Sequence, residues 1–302
     1  MKVFTLKANE NWFCDRYYQE WKEYAKDHVC NDPYEADVIW LLPSWQWASL
    51  GPTLLQRKKI VATVHHIVPG KFNTEEFKIR DQFVDAYHVP CAQTKENIKH
   101  LTSKPITIAG YWLNSQVWQP MDKSASRRDL NLAEDDYIVG SFQRDTEGGD
   151  LVSPKLEKGP DLFVEYVKKI DKPNLHVLLG GWRRQYIIKR LEEENIKYTY
   201  LELEPRDVLK KMYASLDLYV VSSRFEGGPQ ALLEASAMKV PIVSSDCGMA
   251  NVSLNQNCVI DIQKDLYFPT QQDVEENFLK VYDFEISNHI KNYIDIFAHA
   301  QG

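Results

Sequence analysis

Short apolar runs punctuate the first third of the chain at 3–6, 38–42, 60–64, 86–90 and 106–109, and stretches with helical spacing of apolar residues lie between them at 12–28, 75–84 and 95–101. Runs that are apolar throughout, rather than alternating with polar residues, belong to strands buried on both faces. With helices between them, they predict a parallel sheet covered on both sides. A second series follows, with strands expected at 137–142, 175–179, 197–200, 218–221 and 241–244 and helices at about 161–170, 184–194, 207–215 and 229–238. The polar stretch 118–136, with Pro120, reads as a linker and the loop leading into the next strand. The tail, 271–301, has a helical period with one break near 283–287. Two α/β series in succession predict two doubly wound domains, whose ligands sit outside the C-terminal ends of the strands.

Composition narrows the reading. A chain of 302 residues with 44% hydrophobic residues suits two domains that each bury a core. A net charge of −7 argues against a general nucleic-acid binder. The five cysteines are odd in number and lack C-x-x-C spacing, so neither a disulfide framework nor a zinc knuckle is expected. The N-terminus carries no signal-peptide core, and no apolar run approaches the ~20 residues of a membrane span. A cytoplasmic protein is expected, with room for peripheral contact at a membrane surface. The 12–28 helix mixes acids with bases and lacks the basic face of a strong membrane helix. Seven of the eight tryptophans lie in the first 118 residues. Core packing accounts for most of them, while Trp45 and Trp47, in an expected post-strand loop, are candidates for contact with a sugar or lipid-linked acceptor.

The chemistry concentrates in 220–238, where an apolar strand runs through Ser222-Ser223-Arg224-Phe225-Glu226 into Gly227-Gly228-Pro229-Gln230 and then a helix. Pro229 suits the first helical position. Gly227 and Gly228 permit close backbone approach by a ligand, and the unfilled N–H groups and positive dipole end of the helix suit a phosphate. Glu234 stands on a helix that is apolar nearly all round, with no cation three or four positions away. A buried carboxylate there needs a partner from elsewhere. Adjacent ribose hydroxyls fill that role in dinucleotide folds; a distant Arg or a loop to cap would also serve. Glu226 taken alone also reads as an ordinary loop acid.

The Glu226-x7-Glu234 spacing, its Ser-Ser-Arg-Phe-Glu-Gly-Gly-Pro lead-in and the continuation from Ala237 to Gly248 resemble the family 4 retaining glycosyltransferases of the GT-B fold. Weaker matches lie in Gly140–Arg144, Lys158–Phe163 and Leu178–Trp182, and in Thr63–His66 of the first half. The resemblance implies two Rossmann-like domains with parallel sheets facing an interdomain cleft. They comprise an acceptor domain over 1–118, completed by a C-terminal helix at about 286–302, and a nucleotide-sugar donor domain over 119–285. It implies that Arg144 and Lys158 hold the donor diphosphate, with Lys155 close enough to compete, and that the diphosphate rests near Gly227, Gly228, Pro229 and Gln230. Glu234 would bind the ribose, and Glu226 the donor-sugar hydroxyls and the oxocarbenium-like transition state. His65 or His66 would touch the donor sugar, with a core or capping role open to either.

The implied activity is retaining transfer of a hexosyl-type sugar from a UDP- or GDP-linked donor to a glycan, lipid-linked or small-molecule acceptor. Attack comes on the same face, and a donor phosphate oxygen takes the acceptor proton. No cofactor is implied. No D-x-D sequence occurs, so no metal is indicated. A hydrolase-style carboxylate pair is the rival chemistry, but the fixed offset, glycines and cations favour nucleotide handling. The loop 7–12 lacks the glycines the family carries after its first strand. That departure keeps open the alternative of a non-catalytic nucleotide-sugar-binding GT-B protein.

Overall fold

The computed structural model describes residues 1–10 and 13–301, so the helix start expected at Trp12 lies outside the described residues. The chain divides into two compact units, Met1–Trp112 with Phe284–Gly302, and Leu113–Asp283.

The first unit runs β1 (Val3–Thr5), α1 (Phe13–Tyr24), β2 (Val38–Leu41), a 3-10 turn at Ser44–Ser49, α2 (Pro52–Arg57), β3 (Lys59–Thr63), α3 (Thr74–Asp81), β4 (Ala86–Val89), α4 (Ala92–Ile98) and β5 (Ile106–Ile108). Its strands pair in parallel in the order β1-β2-β3-β4-β5. The second unit runs α5 (Lys123–Asp129), β6 (Tyr137–Ser141), a 3-10 turn at Leu156–Lys158, α6 (Pro160–Lys168), β7 (Leu175–Gly180), α7 (Gln185–Glu193), β8 (Lys197–Leu201), α8 (Arg206–Ala214), β9 (Leu218–Val221), α9 (Gln230–Ala237), β10 (Ile242–Ser244), α10 (Ala250–Ser253) and α11 (Gln271–Val281). This sheet is also parallel, in the order β10-β9-β6-β7-β8. The chain then returns to the first unit as α12 (Ile286–His299).

All ten expected strands form, and the apolar runs of β2, β4 and β9 are buried along their whole length. Two segments differ from expectation. The stretch 118–136 is not simply a linker, since Asp122 accepts from the Ala125 amide at 2.6 Å and starts α5. The buried anchor of α5 is Arg127, which donates to the Ser215 carbonyl at 3.0 Å, the Glu134 carbonyl at 2.7 Å and Asp217 at 2.7 Å. A helix held by a guanidinium leaves no apolar period to read. After β2 the expected loop is instead the 3-10 turn carrying Trp45 and Trp47, followed by α2, with Pro52 in its first turn.

The tryptophans of the first unit mostly build its core. Trp21 and Trp40 meet edge-on at 5.5 Å, and Phe297 of α12 packs on both. Trp112 stacks on Tyr17 at 3.9 Å and donates to the buried Glu20 carboxylate at 2.7 Å. Trp47 is half-buried and stacks on Phe83, whereas Trp45 is 50% exposed. Tyr293 and His289 of α12 both reach the Gly110 carbonyl, at 2.9 and 2.7 Å. Among the described residues, no helix is long and apolar enough to cross a membrane.

Candidate functional site

The second sheet has one topological switch. From β6 the chain moves outward through β7 and β8, then returns to the other side of β6 for β9 and β10. Between the C-terminal ends of β6 and β9, the connections leave in opposite directions and open a crevice. The residues just beyond those ends are Phe142-Gln143-Arg144 after β6 and Ser222 to Glu226 after β9.

Lys158 reaches this crevice through a glycine. Gly159 adopts a left-handed backbone (φ +61°), and a Cβ there would lie 1.9 Å from the Ser222 carbonyl oxygen. Only a residue without a side chain lets the start of α6 press onto the end of β9. The contact is stitched further. The amides of Arg224 and Phe225 donate to the Glu157 carbonyl at 2.9 and 3.1 Å, and the Arg224 guanidinium grips Asp161 with two bonds of 2.7 Å. Burial alone would raise the Asp161 carboxyl, but this fork outweighs it and holds the group below its usual range.

So positioned, the Lys158 amine forms an ion pair with Glu226. Lys155, its neighbour in sequence, pairs with Glu157 at 3.2 Å instead. The Ser223 hydroxyl lies 3.4 Å from Glu226 Oε1 and 3.2 Å from Gln143 Oε1, while Gln143 Nε2 donates to the Lys158 carbonyl at 2.8 Å. Gln143, Lys158, Ser223 and Glu226 therefore form one polar cluster at the switch.

Arg144 follows Gln143. Its Nε donates to the Thr146 carbonyl at 2.8 Å, and its guanidinium lies 5.5 Å from the centroid of Trp182. Among the described residues it forms no ion pair. The loop is braced from beneath by a pair that sequence patterning does not reveal. Arg184 is fully buried, pairs with Asp145 at 2.9 Å and donates to the carbonyls of Ser141 and Gly180 at the ends of β6 and β7. Burial raises the Asp145 carboxyl, and Arg184 only partly offsets this. No periodic signal marks such a pair, because each member stands in an otherwise ordinary loop or helix start.

Gly227 and Gly228 lead into α9. They are seated on Gly248, where a Cβ would lie 2.5 Å from the Gly227 carbonyl oxygen. Pro229 is the N-cap and Gln230 the first helical residue, one position later than the sequence suggests. The first amides of α9 have no acceptor within the helix. Glu234, one turn in, is buried, and its Oε2 accepts from the Tyr213 hydroxyl of α8 at 2.9 Å. The Tyr213 phenol is thus one partner that reaches Glu234 from elsewhere in the chain.

His65 belongs to the first unit. Its Nε2 faces the Leu42 carbonyl at 2.8 Å, which assigns the proton to Nε2, and its Nδ1 accepts from the Tyr111 hydroxyl at 2.5 Å. Burial, then the neighbouring His66, pushes its pKa down to about 3. It is a neutral imidazole with both nitrogens engaged, so a sugar hydroxyl contacting it would have to displace one bond. The second unit thus gathers Arg144, Lys158, Glu226, the Gly227–Gln230 turn and Glu234 around one end of its sheet, and His65 stands in the first.

Two five-stranded parallel sheets covered by helices, the second with a polar cluster at its switch, define the GT-B architecture. Solved structures share it. The structure of Anabaena HepE in complex with UDP superposes with a TM-score of 0.74 at 13% identity, over 99% of this chain and 100% of that one. Sucrose-phosphate synthase from Thermosynechococcus elongatus gives 0.63 at 16% identity, over 95% and 75% of the two chains. Residues 149–278 match the family described as glycosyl transferases group 1. The lipopolysaccharide core biosynthesis mannosyltransferase LpsB of Rhizobium meliloti (strain 1021) is 25% identical over 154 residues. That match covers 48% of this chain and 41% of the relative, so the chain spans less than half of the curated relative's length in the match.

Proposed function

We propose that the protein is a glycosyltransferase that moves a sugar, with retention of configuration and without a metal, from a nucleoside-diphosphate sugar to a carbohydrate or lipid-linked acceptor. The observation that carries this reading is the Lys158–Glu226 pair at the switch of the second sheet, beside the amide end of α9. A diphosphate leaving group accumulates negative charge, and Lys158, Arg144 and the α9 amides are the groups that would receive it. Glu226, once exchanged out of its ion pair, presents a carboxylate to the hydroxyls and developing positive charge of the donor sugar. Glu234 takes the ribose.

The names of relatives support the substrate class: HepE is described in complex with UDP-glucose, and LpsB as a mannosyltransferase. Retention rests on the family resemblance of the Glu226-x7-Glu234 segment. Under this mechanism the protein positions reactants and supplies preorganised charge rather than a covalent nucleophile. His65 is proposed as a donor-sugar contact from the first unit, and Trp45 as an exposed surface for the acceptor.

The test is release of nucleoside diphosphate from UDP- and GDP-sugars, with and without trial acceptors and in the presence of EDTA, for the wild type and Glu226→Ala. Acceptor-dependent release that persists in EDTA and is lost in the variant supports the proposal. Transfer undiminished in the variant would remove the catalytic assignment, and nucleotide binding with no turnover on any acceptor would point to a binding protein.

A further inference from the structure

Three aromatic rings sit under the crevice at mutual centroid distances of 4.9, 5.2 and 5.3 Å: Phe142 after β6, Tyr213 of α8 and Tyr219 of β9. Each is nearly excluded from solvent. Their polar atoms face two ways. The Phe142 amide donates to the Tyr219 hydroxyl at 3.0 Å, and the Tyr213 hydroxyl donates to Glu234 at 2.9 Å. Burial pushes the Tyr219 phenol up to about 12, so that hydroxyl keeps its proton at any physiological pH. The cluster cannot relax easily: a Cβ on Gly180, at the end of β7, would already lie 2.7 Å from Met212 and 2.9 Å from Phe142.

We propose that Tyr213 is a positioning residue for nucleotide recognition, its buried hydroxyl fixing the Glu234 carboxylate in the orientation that accepts both hydroxyls of a ribose. This rests on the reading of Glu234 given under Proposed function. A glutamate has three rotatable bonds, and a carboxylate that must meet two adjacent hydroxyls gains from having its rotation set beforehand. Tyr213 supplies that restraint from a different helix. The same aromatic cluster, through Tyr219 and Phe142, anchors the chain one step before Gln143 and Arg144. Sugar-ring selection and phosphate binding therefore share one rigid support inside the second unit.

The experiment is calorimetric titration of the full chain with UDP and with the UDP analogue lacking both ribose hydroxyls, using GDP and its matching analogue if the guanine nucleotide binds better. Tyr213→Phe keeps the ring and removes the hydroxyl. It should weaken UDP binding about ten-fold, the scale of one lost hydrogen bond, and leave the analogue unchanged. In a Glu234→Gln background the same substitution should change neither affinity, which also guards against a variant that merely packs poorly. Equal loss for UDP and analogue, or no loss for UDP, overturns the role of Tyr213. If Glu234→Gln itself leaves the preference for UDP over the analogue intact, the ribose role of Glu234 fails, and the proposal falls with it. If Glu234→Gln erases that preference while Tyr213→Phe keeps it, only the Tyr213 assignment is wrong.

Discussion

Lys158 and Glu226, 68 positions apart, form an ion pair in which their side chains are 18% and 11% exposed. Under the proposed function each is meant for a different part of the donor, so the pair must exchange partners when the donor arrives. Glu226→Gln frees the lysine, and the expected result is diphosphate binding that is unchanged or several-fold tighter. Transfer should fall by at least about 100-fold, the scale of losing one preorganised electrostatic group. Lys158→Met should weaken UDP or GDP about ten-fold or more while leaving uridine or guanosine binding alone. Titration calorimetry and a coupled release assay read both outcomes, and parallel losses in nucleoside and diphosphate binding would contradict them.

Arg144 forms no ion pair among the described residues and rests over the Trp182 ring. Arg144→Ala is expected to cost about ten-fold in diphosphate affinity and little in nucleoside affinity. The Arg183 guanidinium lies nearer the same Trp182 ring, at 3.9 Å, so calorimetric titration with UDP, GDP and the matching nucleosides is the readout, and equal losses for nucleoside and diphosphate would contradict the phosphate role.

Gly159→Ala and Gly248→Ala should each destabilise the second unit by about 2–4 kcal/mol, because the added methyl meets backbone and not a movable side chain. A melting temperature lower by roughly 5–10 °C, measured by calorimetry, is the expected readout. Gly149→Ala, where an added methyl would meet nothing within 4 Å, serves as the control and should melt with the wild type.

Acid should weaken the first unit through its histidines. Burial, then His66, brings His65 down to about 3; burial, with a contribution from His289, brings His88 down to about 4. In the unfolded chain both titrate near ~6.5. As pH falls below ~6.5 the unfolded state takes up protons that the folded state refuses, so stability declines toward those lower values, by up to about 1.4 kcal/mol per pH unit for each histidine. Urea unfolding followed by tryptophan fluorescence at pH 7.5, 6.5 and 5.5 tests the sign. His65→Gln should show a shallower slope, and an identical slope would remove His65 from this account.

The sequence made the strands legible because β2, β3, β4, β7 and β9 are covered on both faces and must be apolar almost throughout. It made Glu226 and Glu234 legible because a carboxylate on an apolar helix, a glycine pair and a proline are each costly or specialised in that setting. Elements held by polar anchors were hidden. The buried face of α5 is an arginine bound to carbonyls and Asp217, which no hydrophobic period announces. Arg184 and Asp145 likewise lie far apart in sequence and meet only once β6 and β7 are paired. Gly159 was visible as part of a motif, but its reason, the Ser222 carbonyl beneath it, depends on a strand 60-odd residues downstream. The tyrosine behind Glu234 left no trace of its role, since buried tyrosines are ordinary core residues.

The return of α12 to the first unit has a consequence for how the protein is made. Phe297 closes over Trp21 and Trp40, and Tyr293 over Trp112 and Trp40, yet both are synthesised after the whole of the second unit. During synthesis the second unit is complete in sequence while the first unit still lacks the helix that covers its own aromatic core. Birth order and assembly order are thus reversed: the part of the chain that emerges first is completed last. A nascent chain arrested before Ile286 would carry the whole sequence of the second unit, and a first unit whose Trp21, Trp40 and Trp112 lack the cover of Tyr293 and Phe297.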